Sequence, residues 1–483
     1  MRHRLLTLLL TPPLLAGCAL GPRVPTPDVH TPQAYEAPSD VTQPGLPMQR
    51  WWTAYNDPQL AALVDEALGT APDARSARAR LDEAIAVRSE ALDAFNPQGA
   101  LQGSATETDT QTIGKAPVLN LGPLGQIPLT NTGASNQELL NFDVSWELDL
   151  FGRRAVTRKK ANADLAAARF DYEATRTSLA ANVADQLFQA RGLAIQLGDA
   201  EEAARIESEL SRVAHAKADH GLGAQSDADQ ADAELAQSNA QVKDLQSQLH
   251  AARRTLLVLV GKGVDPLDSL PAAAEAGTPP PVPATVPGEL LARRPDVREA
   301  AANLRSASSQ LKLNELALFP KFTINPGVGL SSVPEFGTSL TSVAWSIGFG
   351  LAQPVLDMPR LKSEIRVQGA RADQAVIAYE KAVQTAYGES ENALVKLSSD
   401  EARVTLLTAG EAEARRAYDA ARIRYSAGID DLTSVLTAER TWQNARSALT
   451  GAEVQALVSS VTAFKALGGG WEPTAPAEER ASR

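Results

Sequence analysis

The sequence predicts a mainly α-helical chain that also supplies four strands to a membrane β-barrel. Two proline-free runs, 153–219 and 360–426, are 67 residues long, and at 1.5 Å per residue each would form a helix roughly 100 Å long. Four segments of about ten residues alternate apolar and polar side chains, the pattern of strands that meet lipid on one face and water on the other. The same order of elements occurs twice along the chain. Together these observations favour long helical hairpins that carry a membrane sheet.

The N-terminus resembles a cleaved export signal. A basic tip precedes an apolar run at 5–15, which is too short to span a membrane. Small residues then lead directly into Cys18, the only cysteine of the chain. This arrangement resembles a bacterial lipoprotein processing box; the alternative is a plain secretory signal with an incidental cysteine. We predict a signal peptide at residues 1–17 and acylation of Cys18, so that acyl chains anchor the mature chain.

The residue after the cysteine bears on the destination of the chain. It is Ala19, whereas an aspartate at this position commonly retains lipoproteins at the inner membrane. By that resemblance the outer membrane is favoured. The proline-rich segment that follows predicts an extended tether.

Composition narrows the classes of function. The chain carries 46 Lys and Arg against 58 Asp and Glu, a net charge of −12. Nucleic acid is therefore not an expected partner, because phosphate binding needs a basic surface. Aromatic residues make up only 5%, which is low for a compact enzyme and typical of alanine-rich helical arrays.

An internal repeat organises the mature chain. Tyr172 matches Tyr379, and Gly221 matches Gly428, with 207 positions between the members of each pair. Each copy is predicted to contain a helix, two strands, a very long helix, a turn and a return helix. The proline-rich stretch at 278–287 joins the copies.

The predicted return helices carry apolar residues at coiled-coil spacing. They are Leu235, Val242, Leu245, Leu249 and Leu256 in the first copy, and Val435, Trp442 and Leu449 in the second. A plain structural coiled coil would account for these helices but not for the strands.

The predicted strands imply that several chains share one barrel. In the second strand the polar face carries Glu147 and Asp149, and we expect it to line a watery lumen. Four strands cannot enclose such a lumen, and open sheet edges are not tolerated in lipid. Three chains would give twelve strands, one closed pore and a helical tube that continues from it. The four strands are 101–110, 142–150, 322–330 and 343–351.

Four motifs carry a family resemblance: WELDLFGR at 146–153, LARRPDVREA at 292–301, RYSAG at 424–428 and FKALGGGW at 464–471. Over nearly its whole mature length the chain resembles the outer-membrane efflux protein family, the TolC/OprM-like group, in the lipoprotein branch that serves resistance–nodulation–division (RND) pumps. The resemblance implies a homotrimer with a twelve-stranded β-barrel that continues into a long α-helical barrel with a mixed equatorial domain. It also implies an exit duct in the outer membrane that extends into the periplasm. Its partners would be a periplasmic adaptor (membrane fusion) protein and an inner-membrane RND pump.

The repeat and the resemblance together suggest domain boundaries. After the signal peptide, we expect a lipid-anchored tether and equatorial segment at 18–60, repeat 1 at 61–277, repeat 2 at 278–470 and a C-terminal tail at 471–483.

A duct of this kind needs a gate, and we expect it where each long helix turns back. Gly221 and Gly428 supply the permissive backbone for these turns. Aspartates lie beside both turns, and in a trimer each would occur three times around the axis, as a ring of carboxylates that attracts cations. The gate candidates of this type are Asp227, Asp430 and Asp431. The plainer interpretation is that such aspartates are solvated helix N-caps.

Two further gate candidates come from the resemblance. Arg424 and Tyr425 match the family's tip motif, where such residues tie neighbouring helices shut. Thr437 departs from the pattern, because close relatives usually carry Asp there in a VLDAxR motif and this chain reads VLTAER. If that position forms the narrowest acidic ring in relatives, the ring is absent or moved in this chain.

The sequence contains no recognisable constellation for catalysis, cofactor binding or metal binding. His215 and His220 are five positions apart, which is not the i,i+4 spacing of a helical metal site, and we expect both to be solvated. The segment VGKGVD at 260–265 lacks the first glycine and the Ser/Thr of a phosphate loop, so it predicts a helix-ending turn. We therefore expect no enzymatic activity, no cofactor and no metal.

The leading interpretation is a passive outer-membrane channel of a tripartite efflux system, conducting drugs or other small molecules from pump and adaptor to the outside. The alternative is a periplasmic coiled-coil adaptor or a structural lipoprotein. The alternating strands and the duplication weigh against that alternative, because an adaptor hairpin need not occur twice in a chain.

Overall fold

The computed structural model describes residues 24–38, 41–43, 48–111, 113–114, 118–128, 133–271, 273–335 and 338–471. Cys18 and the predicted signal peptide lie outside the described residues, as does nearly all of the predicted C-terminal tail. Contacts divide the chain into two compact units. The first comprises Met1–Thr26, Ala86–Ala163 and Leu304–Val376, and the second comprises Pro27–Ile85, Asp164–Asn303 and Ile377–Arg483.

The described chain is mainly helical, as predicted. Its α-helices are α1 (Pro58–Thr70), α2 (Pro72–Asp93), α3 (Arg153–Asp219), α4 (Gln225–Leu259), α5 (Leu290–Arg293), α6 (Pro295–Leu316), α7 (Met358–Ser426) and α8 (Leu432–Ala466). Its β-strands are β1 (Thr42–Gln43), β2 (Gln98–Thr110), β3 (Val118–Asn120), β4 (Gln126–Pro128), β5 (Gly133–Leu148), β6 (Val282–Pro283), β7 (Lys321–Glu335) and β8 (Thr338–Ala352).

The first unit contains a four-stranded antiparallel sheet in the order β2-β5-β7-β8. Its register places one apolar residue of each strand in a row across the sheet, namely Leu101, Phe142, Val328 and Trp345. All four side chains are exposed, from 45% for Phe142 to 81% for Trp345. The four predicted strands are therefore confirmed, and because residues paired across strands project from the same face, these four side chains share one apolar face of the sheet.

The strand that leads into the first long helix ends earlier than predicted. β5 stops at Leu148, so the prediction that Asp149 belongs to this strand is wrong. The Asp149 carboxylate instead accepts hydrogen bonds from the N–H groups of Arg153 at 2.6 Å and Arg154 at 3.0 Å. Glu147 makes an ion pair with Arg153 at 2.5 Å. Both acidic side chains therefore stabilise the strand-to-helix junction, where unpaired backbone N–H groups attract negative charge.

The long helices agree closely with prediction. α3 has 67 residues and α7 has 69. α7 begins two residues before the predicted start because Pro359 is tolerated in the first turn, where its missing N–H has no intrahelical partner to lose. Of the described helices, none combines the length and the apolar character that crossing a membrane requires.

The second unit contains the largest hydrophobic core of the described chain. Trp51 and Phe464 are fully buried and stack with their ring centroids 5.6 Å apart. The core draws on α1, on the middle of α3 and α7, and on the ends of the return helices α4 and α8. The short parallel pair of β1 with β6 contributes Val282 to it. This mixture of short strands and helices around the long helices agrees with the expected equatorial domain.

Candidate functional site

Each long helix of the second unit ends in a glycine turn. Gly221 and Gly428 have φ angles of +68° and +70°, in the left-handed region that L-amino acids with a side chain rarely adopt. Just beyond them, the Leu222 N–H donates to the Lys217 carbonyl at 2.8 Å and the Ile429 N–H to the Arg424 carbonyl at 2.9 Å. Both tips therefore satisfy the last helix carbonyls by the same glycine-dependent hydrogen bond.

The second tip, between α7 and α8, joins several of the gate candidates. Arg424 makes an ion pair with Asp430 at 2.9 Å. The Asp431 carboxylate accepts a hydrogen bond from the Ser434 N–H at 2.8 Å and so caps α8. Hydrogen bonds from the hydroxyl and the N–H of Ser434 hold the pKa of Asp431 below its ordinary value. Asp431 thus carries its negative charge at neutral pH, whereas the charge of Asp430 is paired.

Tyr425 connects the two tips of one chain. The Lys217 Nζ at the end of α3 lies 4.0 Å from the centre of the Tyr425 ring. Tyr425 also packs against a small buried cluster formed by Ala214, Ala228, Ala231, Leu432 and Leu436. The ring therefore links the first hairpin to the second by packing and by a cation–π contact.

The first tip, between α3 and α4, places its acids differently. Asp227 lies in the first turn of α4, where the helix dipole favours an anion. Asp232, one turn further on, accepts from the Ser211 hydroxyl at 2.6 Å and lies 3.0 Å from Nε2 of His215. Among the described residues, neither Asp227 nor Asp431 makes an ion pair, so these two carboxylates supply unneutralised charge at the tips.

The remaining sequence candidates have local roles. The Thr437 hydroxyl donates to the Thr433 carbonyl at 2.8 Å, within α8 itself. Across the described ranges, no group of three or more His, Cys, Asp or Glu side chains is arranged to hold a metal ion.

Sequence reasoning missed a buried acidic layer further up the hairpins. It comprises the buried Glu207 on α3 and Glu439 on α8, with the partly buried Glu234 on α4 beside them. The sequence signal was available, since Glu439 lies four positions after Val435 and three before Trp442 and so shares the predicted apolar face of the return helix.

Comparison with known proteins identifies the family. The profile described as "Outer membrane efflux protein" matches residues 63–262 and 286–469. The pyoverdine export outer membrane protein OpmQ of Pseudomonas putida is 28% identical, with 96% of each chain covered. The toluene efflux pump outer membrane protein TtgC of Pseudomonas putida is 30% identical, covering 100% of this chain and 99% of the relative.

A solved structure, that of the outer-membrane channel OprN, is also similar. It is 29% identical with a TM-score of 0.77, covering 93% of this chain and 100% of the OprN chain. The two profile matches each contain one helical hairpin and two strands of the four-stranded sheet. The duplicated hairpins, the sheet with its lipid-type face and these similarities agree, and the chain belongs to the outer membrane efflux protein family as an outer-membrane efflux channel.

Proposed function

We propose that three copies of this chain form the outer-membrane channel of a tripartite efflux system, which conducts drugs or other small molecules passively to the outside. The observation that carries this proposal is the four-stranded sheet, with its exposed apolar face and its two edges. The supporting comparison is with relatives that are named as export and efflux proteins of the outer membrane.

The edges of the sheet supply the argument for three copies. Within the described sheet, β2 and β8 each pair on one side only. Trp345 and Phe349 on β8 are 81% and 77% exposed, as expected of a lipid-facing strand. In hydrocarbon every unpaired backbone N–H or C=O costs several kcal/mol. Pairing β8 of one copy with β2 of the next removes these edges, and three copies close a barrel of twelve strands.

The helix tips supply the argument for a gate. Asp227 and Asp431, repeated in three copies around an axis, would give a ring of carboxylates that attracts cations. The Arg424–Asp430 ion pair would hold the second tip closed on itself, and Tyr425 would hold the two tips of each chain together through its ring contacts. The channel would open when the tips part, as a two-state element that a partner biases by binding.

The proposal implies partners and an anchor. A periplasmic adaptor and an inner-membrane RND pump would deliver the substrate, and the channel itself would carry out no enzymatic step. Acyl chains on Cys18, after removal of 1–17, would add a second anchor in the outer membrane. The segments 18–60, 61–277, 278–470 and 471–483 would then be tether, repeat 1, repeat 2 and tail.

The native mass of the detergent-solubilised protein tests the shared barrel. We expect about three times the mass of the processed chain, which is somewhat lighter than the 51.1 kDa precursor, together with conducting channels in planar bilayers. A stable monomer without conductance would contradict the proposal and favour a coiled-coil adaptor or structural lipoprotein.

Replacing the predicted acylation site tests the anchor separately. Cys18→Ser should abolish incorporation of labelled fatty acid and mature processing, because only the thiol accepts the lipid. Conductance should survive, because the barrel anchors the protein by itself. Unchanged labelling of the Cys18→Ser variant would show that the lipoprotein prediction is wrong.

A further inference from the structure

Two glutamates on different helical hairpins are buried in the second unit. Glu439 on α8 is 1% exposed, and Glu207 on α3 is 8% exposed. Over the described residues, Oε2 of each side chain has no hydrogen-bond partner. Buried carboxylates are nearly always paired or fully hydrogen-bonded, so this arrangement is unusual for a structural core.

The surrounding helices supply too little positive charge for these groups. Glu234 on α4 makes an ion pair with Arg440 on α8, and Arg440 is also the cation that acts on Glu207. The layer therefore contains three carboxylates and one guanidinium. Glu439 has no cation among the groups that influence it.

The other neighbours are neutral hydrogen-bonding groups. Ser238 on α4 hydrogen-bonds to Glu207, and Nε2 of Gln443 donates to Oε1 of Glu439 at 2.9 Å. From α7, Tyr418 faces this layer, and burial followed by the charge of Glu439 raises its pKa to about 12. Tyr418 therefore stays neutral and cannot compensate the carboxylates.

A proton is the simplest compensation. Burial raises the pKa of Glu439 to about 8, and the nearby charge of Glu207 acts in the same direction. Burial likewise raises the pKa of Glu207, with Glu234 adding to the rise while Ser238 and Arg440 oppose it. Two neighbouring carboxyl groups of this kind hold one proton between them, because both cannot ionise side by side in a poorly solvated site; Glu439, which has no cation acting on it, is the group that keeps the proton.

A polar cavity gives solvent a route to this layer. Its volume is about 400 Å³, which is enough for several water molecules. Glu207 lies in its wall together with Glu234, Arg440 and Gln443. The other charged groups of the wall are paired outside the layer, Asp199 with Arg446 and Glu202 with Arg205. The proton can therefore exchange with the cavity while the hairpins stay packed.

We propose that Glu207 and Glu439 are a proton-operated latch, in which one proton, held on Glu439 beside Glu207, stabilises the packing of the first hairpin against α8. The consequence for gating rests on the proposed channel function, since parting of the hairpins is what would open the tips. When α8 moves away from α3, both carboxyls gain water, ionise and release the proton.

The uptake of a proton on packing fixes how the packed and separated states of the hairpins depend on pH. The packed state binds about one proton more than the separated state, so low pH favours the packed, closed state. The stabilisation is fully present below the ordinary glutamate pKa of 4.5 and is lost as the pH rises through about 8. Between these values, the ratio of separated to packed hairpins should rise by up to about ten-fold per pH unit.

Infrared spectroscopy and bilayer recording test the latch together. At pH 6 in heavy water we expect the carbonyl absorption of protonated carboxyl groups. The double variant Glu207→Gln with Glu439→Gln should lose the Glu439 part of it and keep the part of Asp185, whose pKa burial raises to about 7. Gln resembles protonated Glu, so this variant should stay closed from pH 5 to pH 8.5 while the wild type opens progressively. Glu209→Gln is the matched control, because Glu209 lies two positions further along α3 and its side chain is 62% exposed; it should behave like the wild type.

If the double variant does not fold, the single variant Glu207→Gln still tests the latch. Glu207→Gln removes the neighbouring charge, so the midpoint of the Glu439 absorption change should move to lower pH by a measurable step. The latch would be overturned if neither variant loses any carboxyl absorption. It would also be overturned if the pH dependence of opening in the double variant equals that of the wild type. A band that responds to Mg²⁺ or K⁺ at constant pH would also overturn it, since a cation would then occupy the cavity. Absence of conductance at every pH, with the band present, would instead count against the channel function alone.

Discussion

The two helix tips of one chain are copies of the same turn, yet different contacts hold them. Both turn on a glycine, Gly221 in the first and Gly428 in the second. At the N-cap of the return helix the first tip has Ala224, which makes no side-chain hydrogen bond, whereas the second has Asp431, which bonds to Ser434. The duplicated backbone is thus the same, and the side chains differ.

The basic residues at the two tips also make different contacts. Arg424 pairs with Asp430 of its own tip, while Lys217, its counterpart in the first copy, lies over Tyr425 of the other tip. The turn of the second tip is therefore closed by an ion pair and a cap of its own, whereas the first hairpin is joined further from its turn, where Ser211 donates to Asp232. Within the described chain, each tip supplies a carboxylate without an ion pair, and we infer that the first tip moves more easily.

The largest expected effect is the loss of stability on replacing the turn glycine that both tips contain. Gly221→Ala and Gly428→Ala should each destabilise their own tip by about 1–2 kcal/mol, because alanine is strained in the left-handed conformation. Nothing in the described chain lies within 4 Å of either added Cβ, so the two effects should be similar. Hydrogen exchange of the tip peptides measures them.

Gly410→Ala provides the control for these variants. Gly410 lies inside α7, and no described atom would be within 4 Å of its added Cβ. Alanine favours a helix interior, so this change should leave the tips unaffected and slightly stabilise α7. Equal destabilisation by all three substitutions would contradict the turn interpretation.

The next effect concerns the cap that only the second tip has. Asp431→Ala should speed the exchange of the first-turn amides of α8 by roughly five-fold, the usual consequence of losing an N-cap. Asp431→Asn should retain most of the protection, because Asn also caps. Ala224→Asp should slow the corresponding amides of α4 and make the tips more alike; no change in α4 would contradict this comparison.

The pH dependence of that cap has a definite sign. Hydrogen bonds from Ser434 lower the pKa of Asp431 below its ordinary value of 3.8. The protection it gives should be complete above pH 3.8 and should disappear as the pH falls through the lowered pKa. The difference between wild type and Asp431→Ala should therefore vanish in strong acid.

The smallest expected effect concerns the ion pair. Arg424→Ser removes an ion pair in which the Arg424 side chain is 59% exposed and the Asp430 side chain 18% exposed. Such a partly exposed pair contributes about 0.5 kcal/mol, so resting conductance should rise by roughly two-fold. Adding Tyr425→Phe should change little further, because the ring that contacts Lys217 is retained. Lys217→Ser is the matched change in the first copy. A larger rise in bilayer conductance from Lys217→Ser than from Arg424→Ser would reverse the proposed division between the tips.

The sequence by itself determined the elements and their periodicity. The proline-free runs predicted the bounds of α3 and α7 to within two residues, because proline interrupts a helix through local backbone geometry. The alternation around Phe142 and Trp345 predicted which side chains share the apolar face of the sheet, because every second residue of a strand projects from the same face. The glycines at the tips were likewise predictable, because only glycine adopts a left-handed turn without strain.

Only the tertiary structure decided which charged groups act together. Asp149 looked like a strand residue, and it became a cap because α3 begins four residues later. Tyr425 was expected to tie helices together, yet its partner Lys217 lies more than two hundred positions away. Glu439 lies on an apolar face that the heptad spacing predicts, but its burial beside Glu207 depends on how the two hairpins pack. The free energy of a buried carboxylate is set by the charges and water around it, and those neighbours are assembled from distant parts of the chain.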